Sequence, residues 1–138
     1  MYYLDSNAFI YPALYEGPKA SEAARFLGAV VRGDEAAATA SLTLDEVIWI
    51  VSQNASREEA IAQGERLLKL PNLRILDVGS RELLRVIKFM DAYDRLTPRD
   101  AIHLSTAIES GIRSIVTDDD DFDFVSEVDR IGLDELGD

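Results

Sequence analysis

The chain contains no cysteine and only one histidine, His103, among its 138 residues. The absence of thiols excludes disulfides, thiol catalysis and zinc–thiolate sites, and it favours a reducing, cytoplasmic environment. No apolar run approaches the roughly 18 residues that a membrane span requires, and the first residues lack the basic-then-apolar layout of a signal peptide. With a single imidazole available, any metal site in this chain has to rely on oxygen ligands.

Basic residues are also scarce, because 14 Lys and Arg face 26 Asp and Glu for a net charge of −12. Such a balance argues at first against a nucleic-acid partner. The charge is uneven, however: residues 109–138 hold 11 acids and 2 bases, whereas residues 74–99 hold 6 bases and 4 acids. Arg81, Arg85 and Lys88 share one helical face, which we interpret as a solvated face rather than a phosphate track.

The length and composition predict one domain over residues 1–138, with 47% apolar and 29% charged residues. Short apolar segments that end near Leu4, Ala40, Val78 and Thr117 alternate with helical patterns. Strands separated by helices require crossovers. We therefore expect an α/β/α fold with a mostly parallel central sheet of four to five strands flanked by helices.

Local signals place several helix features. Pro12 is expected to kink or end the first helix, and Ser56 with Glu59 forms a capping-box pattern at the start of another. A strongly amphipathic helix is predicted over residues 80–93. The side chains expected to face the core from this helix are Leu83, Leu84, Ile87 and Met90.

Acidic residues occur at four places that the topology brings to one edge of the sheet: Asp5, Glu46, Asp100 and the run Asp118–Asp121. In open parallel sheets, ligand sites lie beyond the carboxyl ends of the strands. Several carboxylates in one pocket either protonate or hold a cation. The pattern is therefore compatible with a divalent-metal site at this edge.

Each acid also has an ordinary structural explanation, and the residue pattern leaves both interpretations open. Asp100 with Thr97, and Glu46 with Thr43, fit capping boxes, while the acid run fits a solvated loop. An EF-hand is excluded because Phe124 stands at the sixth loop position and not Gly. His103 is interpreted as a partly buried helix residue with local hydrogen bonds rather than as a catalytic group.

Four segments, in order and at suitable spacing, resemble the motifs of PIN-domain ribonucleases, above all the VapC-type toxins of toxin–antitoxin pairs. The segments are 3–10 (YLDSNAFI), 42–47 (LTLDEV), 99–107 (RDAIHLSTA) and 115–122 (IVTDDDDF). Each motif is short, so the ordered set carries the resemblance. It spans nearly the whole chain.

The resemblance implies that four carboxylates hold Mg²⁺ or Mn²⁺, namely those of Asp5, Glu46, Asp100 and Asp119. Asn7 and Thr117 would orient the acids through hydrogen bonds, and Asp118 or Asp121 could share or replace the role of Asp119. The implied activity is metal-dependent hydrolysis of RNA that leaves a 5′-phosphate and a 3′-hydroxyl.

The resemblance also implies a cognate antitoxin and a homodimer. Three different functions compete with a toxin: a housekeeping PIN-fold RNA-processing nuclease, a phosphatase of the haloacid dehalogenase type and a non-catalytic PIN-fold binding module. A phosphatase of that type would have an Asp two residues after Asp5, where this chain has Asn7.

Overall fold

The computed structural model describes residues 1–137 as six α-helices around a five-stranded sheet. The strands are β1 (Tyr2–Leu4), β2 (Ala37–Ala40), β3 (Leu73–Leu76), β4 (Ser114–Val116) and β5 (Asp129–Ile131). The helices are α1 (Asn7–Leu14), α2 (Pro18–Val31), α3 (Ser41–Asn54), α4 (Arg57–Leu68), α5 (Ser80–Ala92) and α6 (Pro98–Glu109). Short 3₁₀ turns follow at Asp120–Phe124 and Leu133–Glu135.

The sheet is parallel throughout, in the order β3-β2-β1-β4-β5. β1 lies at the centre, where Tyr3 pairs with Ala38 on one side and with Ile115 on the other. Parallel neighbours need crossover connections, which the helices provide. The predicted α/β fold with a mostly parallel sheet is thus confirmed.

Helices cover both faces of the sheet because successive strand residues point to opposite sides. Tyr3 is fully buried in a core that includes Phe89 of α5 and Leu104 of α6. The next residue, Leu4, is buried in a second core with Phe26 of α2 and Val47 of α3. Each such side chain stabilises the fold by roughly 1.5–3 kcal/mol through burial. The result is a three-layer α/β/α domain.

Helix α5 departs from the sequence expectation. Its buried residues are Val86 and Phe89, whereas Leu84 and Ile87 are 72% and 71% exposed. Of the four side chains expected to face inward, Met90 packs partly against the core and Leu83 is 48% exposed. Apolar residues spread over a wide arc of this helix, so periodicity alone did not identify which side of the arc packs.

Two further details of the helices were resolved by the structure. Helix α1 continues through Pro12 and ends at Leu14. Helix α3 begins at Ser41 with Ala40 as its N-cap, three residues earlier than a Thr43 cap requires, so the capping-box interpretation of Thr43 and Glu46 is wrong. Thr43 is instead buried and shares a 2.7 Å hydrogen bond with Thr39.

None of the helices within residues 1–137 is long and apolar enough to cross a membrane.

Candidate active site

Asp5 follows the central strand β1 and lies buried at the carboxyl edge of the sheet, with 7% of its surface exposed. Thr117 follows the neighbouring strand β4 and donates its hydroxyl to Asp5 Oδ2 at 2.7 Å. The other carboxylate oxygen, Oδ1, accepts the backbone N–H of Ser6 at 2.6 Å. These bonds fix the Asp5 carboxylate because they come from backbone and side-chain donors on two adjacent strand ends.

His103 joins Asp5 to Glu46. Its Nε2 hydrogen-bonds Glu46 Oε1 and lies 3.3 Å from Asp5 Oδ1, while its Nδ1 lies 2.5 Å from the hydroxyl of Tyr3. The imidazole is almost fully buried, at 1% exposure. We refer to Asp5, Glu46 and His103 as the inner group.

The inner group constrains the protonation of its histidine. A carboxylate can only accept a hydrogen bond, so His103 Nε2 must carry a hydrogen to bond Glu46. Burial by itself lowers the pKa of His103, but the charges of Asp5, Glu46 and Asp100 raise the pKa above its ordinary value overall. Nε2 therefore acts as a donor to the carboxylates and is not free to serve as a metal ligand.

A second set of acids lies beside the inner group. Carboxylate oxygens of Asp100, Asp119 and Asp121 all lie within 4.8 Å of one another. We refer to these three residues as the outer group. Its only ion pair among the described residues is a 3.6 Å approach of Arg95 Nη1 to Asp121 Oδ1.

The electrostatics of the outer group indicate crowding of like charge. Partial burial and the neighbouring charges of Asp100 and Asp121 raise the pKa of Asp119 to about 6. The hydrogen bond from the Asp121 backbone N–H acts in the opposite direction and lowers the pKa of Asp119. That N–H donates to Asp119 Oδ1 at 2.9 Å. Acids that resist being charged together are a setting in which a bound cation is stabilising.

Thr117 connects the two groups. Its hydroxyl donates to Asp5 and accepts the backbone N–H of Asp119 at 3.0 Å. Asp100 is held by the predicted capping box, in which it accepts the Thr97 N–H at 3.1 Å and Thr97 accepts the Asp100 N–H at 3.2 Å. The capping and site roles of Asp100 are therefore compatible.

The acid run separates into members with different surroundings. Asp118 is bound by Lys19 Nζ at 2.7 Å and by the backbone N–H of Leu133 at 3.3 Å. Although burial opposes it, the Lys19 ammonium lowers the pKa of Asp118 overall. Asp118 is thus committed to Lys19, whereas Asp119 and Asp121 belong to the outer group.

Asn7 lies at the same edge, but its side chain contacts the backbone of the acid run and not a carboxylate. Its side-chain Oδ1 accepts the N–H of Asp118 at 3.2 Å. Thr117, in contrast, bonds the Asp5 carboxylate directly. Of the two residues expected to orient acids, Thr117 therefore orients the Asp5 carboxylate, whereas Asn7 holds the backbone of the acid run.

The donor set suits a hard divalent cation. Carboxylate oxygens of the outer group converge, and no buried basic side chain in the described part of the chain pairs with them. Carboxylates are the ligands that Mg²⁺ and Mn²⁺ prefer. Asp5 and Glu46 both lie against His103. The charge of Asp100, a member of the outer group, also raises the pKa of His103, so the two groups are electrostatically coupled. The residues present fit a site for Mg²⁺ or Mn²⁺.

The family model of the PIN domain matches residues 2–128. The chain belongs to the PIN domain family. No curated protein matches it in sequence. Within the PIN fold, the four acidic positions that the motifs predicted lie at one edge of the sheet, in the inner and outer groups.

Solved structures share this PIN fold over almost the whole chain. VapC20 of Mycobacterium tuberculosis, described as a sarcin-ricin loop cleaving toxin, has a TM-score of 0.75 and 13% identity, with 91% of this chain and 95% of that chain covered. VapBC2 from Rickettsia felis, bound to a DNA fragment from their promoter, has a TM-score of 0.73 and 17% identity, with 95% and 97% covered. DNA-bound VapBC from Salmonella typhimurium has a TM-score of 0.72 and 20% identity, with 96% and 97% covered. At these identities the likeness concerns the fold.

His103 has a larger role in this PIN domain than its place on a helix indicates. His103 was interpreted as a residue with local hydrogen bonds, but its partners come from β1 and α3. The sequence contained a signal, because His103 lies one helical turn after Asp100 and Tyr3 of β1 precedes Asp5 by two residues. Neither spacing reveals that the two side chains meet.

Proposed function

We propose that this PIN domain is a divalent-metal-dependent endoribonuclease that hydrolyses RNA phosphodiester bonds. The observation that carries the proposal is that the four acidic positions lie in two groups joined by the Thr117 hydroxyl, at the carboxyl edge of β1 and β4. Within residues 1–137, the outer group has no buried cationic partner. Such an edge is the usual place for a ligand site in a parallel α/β sheet.

The residues proposed to hold Mg²⁺ or Mn²⁺ are Asp5, Glu46, Asp100 and Asp119, with Asp121 as an additional oxygen donor beside Asp119. When bound, such an ion lowers the pKa of water and offsets negative charge that develops on the phosphate during in-line displacement. Asp118 is left out of this set because Lys19 occupies its carboxylate.

The protein itself contributes orientation. Thr117 holds Oδ2 of Asp5, and His103 holds Glu46 beside Asp5, so the two carboxylates keep their positions without a cation between them. Tyr3 supports the imidazole from the opposite nitrogen. Burial, then the charges of Asp5 and Glu46, keeps the pKa of Tyr3 well above its ordinary value, so its hydroxyl stays neutral.

We further propose that the nuclease is the toxin of a toxin–antitoxin pair that acts in the cytoplasm. The similar structures include the VapBC assemblies of Rickettsia felis and Salmonella typhimurium, which supports a cognate antitoxin. A homodimer is also proposed. Exposed apolar side chains on α3, α4 and α5 offer surface for it: Trp49, Ile61, Leu68, Leu84 and Ile87. A neighbouring reading frame that encodes a small DNA-binding protein would favour the toxin over a housekeeping RNA-processing nuclease.

A phosphatase and a non-catalytic binding module fit the molecule less well. The phosphatase has no support in the PIN match over residues 2–128, and Asn7 binds backbone where a second catalytic acid would be needed. A binding module does not require the outer group, whose like charges oppose folding when no cation is bound.

The test is cleavage of single-stranded RNA with Mg²⁺, with Mn²⁺ and with excess chelator. We expect cleavage only with metal, ends that carry a 5′-phosphate and a 3′-hydroxyl, and a loss of roughly a hundredfold or more in Asp5→Asn and Asp100→Asn, in line with losing a group that stabilises the transition state.

The matched control is Asp120→Asn, which removes the same charge from an exposed member of the acid run. It should cleave at nearly the wild-type rate. Cleavage that survives chelation, or that survives Asp5→Asn, would contradict the proposed mechanism. Release of phosphate from a small monoester without RNA cleavage would contradict the nuclease and favour the phosphatase.

A further inference from the structure

An exposed aromatic side chain stands at the edge of the outer group. The 3₁₀ turn Asp120–Phe124 buries one phenylalanine completely, Phe122, and leaves the other, Phe124, 56% exposed. A 3₁₀ turn has three residues per turn, so Asp121 and Phe124 lie on the same face of it. The exposed ring is therefore one turn away from a carboxylate of the outer group.

Arg95 links the ring to the outer group. Its guanidinium carbon lies 4.1 Å from the centroid of the Phe124 ring, and its Nη1 lies 3.6 Å from Asp121 Oδ1. The Arg95 side chain is itself 60% exposed. Because a guanidinium carries five N–H donors, most of the hydrogen-bonding capacity of Arg95 faces solvent.

A purely structural role would have Arg95 shield an exposed ring and form a weak surface ion pair. That role accounts for the contacts of Arg95 but not for their location beside the outer group. The segment 109–138 carries 11 acids and 2 bases, yet an arginine from the α5–α6 connection reaches into it beside the outer group. An exposed ring with a stacked guanidinium is the combination that binds unpaired bases and their phosphates.

The overall charge makes a short-range contact of this kind important. With a net charge of −12, the long-range field of the protein repels RNA. Affinity must therefore come from the metal site and from contacts that act at close range. Base stacking is tolerant of sequence and acts at van der Waals distance.

We propose that Arg95 and Phe124 form a nucleotide platform, on which the ring stacks an unpaired RNA base and the guanidinium binds an adjacent phosphate. The inference rests on the proposed ribonuclease function and adds to it a site for single-stranded RNA beside the outer group. Duplex RNA, whose bases are already stacked, should bind the platform poorly.

The experiment measures RNA binding apart from cleavage. The probe is a short single-stranded RNA of mixed sequence that carries 2-aminopurine, a fluorescent base whose emission falls when it stacks. Binding is measured with Mg²⁺ present in the Asp5→Asn background, where cleavage is expected to be lost. We expect Phe124→Leu to weaken binding about tenfold and to abolish the fall in emission.

Matched variants test whether the loss of RNA binding is specific to the platform or follows from the loss of any exposed aromatic or basic side chain. Phe124→Trp keeps a stacking ring and should restore both binding and the fall in emission. Tyr15→Leu removes an aromatic side chain of similar exposure, 50%, at the end of α1, and should change neither. Arg95→Gln should weaken binding, whereas Arg32→Gln, in an exposed pair with Asp34 before β2, should not.

The outcomes distinguish this inference from the proposed function. If the wild type cleaves RNA and Phe124→Leu leaves binding, emission and KM unchanged, the platform is wrong and the nuclease stands. If the wild type does not cleave RNA, the nuclease is wrong, and the binding measurement still decides the platform. Equal weakening of duplex and single-stranded RNA by Phe124→Leu would overturn the base-stacking role.

Discussion

The inner and outer groups contain three ionisable side chains each and lie side by side, but neighbouring charges are stabilised differently in the two groups. In the inner group, His103 stands between Asp5 and Glu46, and Thr117 and Ser6 supply further donors. In the outer group, three carboxylates face one another, and their one ion pair within residues 1–137 is with the exposed Arg95. The inner group is therefore held together by the protein's own hydrogen-bond donors, whereas the outer group has no such internal partner and would be stabilised by the cation proposed to bind there.

The largest expected effect comes from breaking the inner group. His103→Phe removes both imidazole nitrogens and leaves the buried Asp5 and the half-buried Glu46 without their partner. Loss of one member of a buried ionic set costs about 3 kcal/mol or more. Urea unfolding in the presence of chelator should therefore show a much lower free energy of unfolding for His103→Phe than for the wild type.

His103→Gln serves as the comparison because the NH₂ group of its side-chain amide can still donate hydrogen bonds to the carboxylates. Its loss should be clearly smaller than that of His103→Phe. If His103→Phe unfolds at nearly the wild-type urea concentration, the inner group is not held together by the imidazole.

The second effect has the opposite sign, because Asp119→Asn relieves repulsion in the outer group. Without metal we expect the free energy of unfolding at neutral pH to rise by about 1 kcal/mol, after allowance for solvent screening. The amide oxygen of Asn can still accept the Asp121 N–H. Added Mg²⁺ should then raise the melting temperature of the wild type but hardly that of the variant.

The pH dependence follows from the direction of the shift. Folding raises the pKa of Asp119 to about 6, so the charged carboxylate opposes folding at neutral pH. As the pH falls through this value the group takes up a proton, and the advantage of Asn should shrink and then vanish. An advantage that persists unchanged at pH values where Asp is protonated would show that repulsion is not its cause.

The smallest effect is expected for Asp118→Asn. The variant weakens the contact with Lys19, whose side chain is 45% exposed, so only a small loss of stability should follow. RNA cleavage and the stabilisation by Mg²⁺ should stay close to those of the wild type. A loss of cleavage as large as that of Asp100→Asn would place Asp118 in the site and overturn the separation between the acids of the run.

The sequence was sufficient for the architecture because its signals are local. Strand residues around Tyr3 and Ile115, helix starts at Ser56 and Thr97, and the alternation of the two element types predict a parallel α/β/α domain. The parallel sheet in turn places acids that follow its strands at one edge. Local patterns failed where several faces were apolar, as on α5, where Leu84 and Ile87 were expected inside and are exposed.

The sequence by itself therefore determined the fold, the family and the shared edge of the four acidic positions. Only the tertiary structure decided how those acids are grouped: His103 between Asp5 and Glu46, and Asp118 turned to Lys19. The physical reason is distance along the chain. His103 lies 57 positions from Glu46 and 100 from Tyr3, and a hydrogen bond between such residues depends on packing that no local pattern contains.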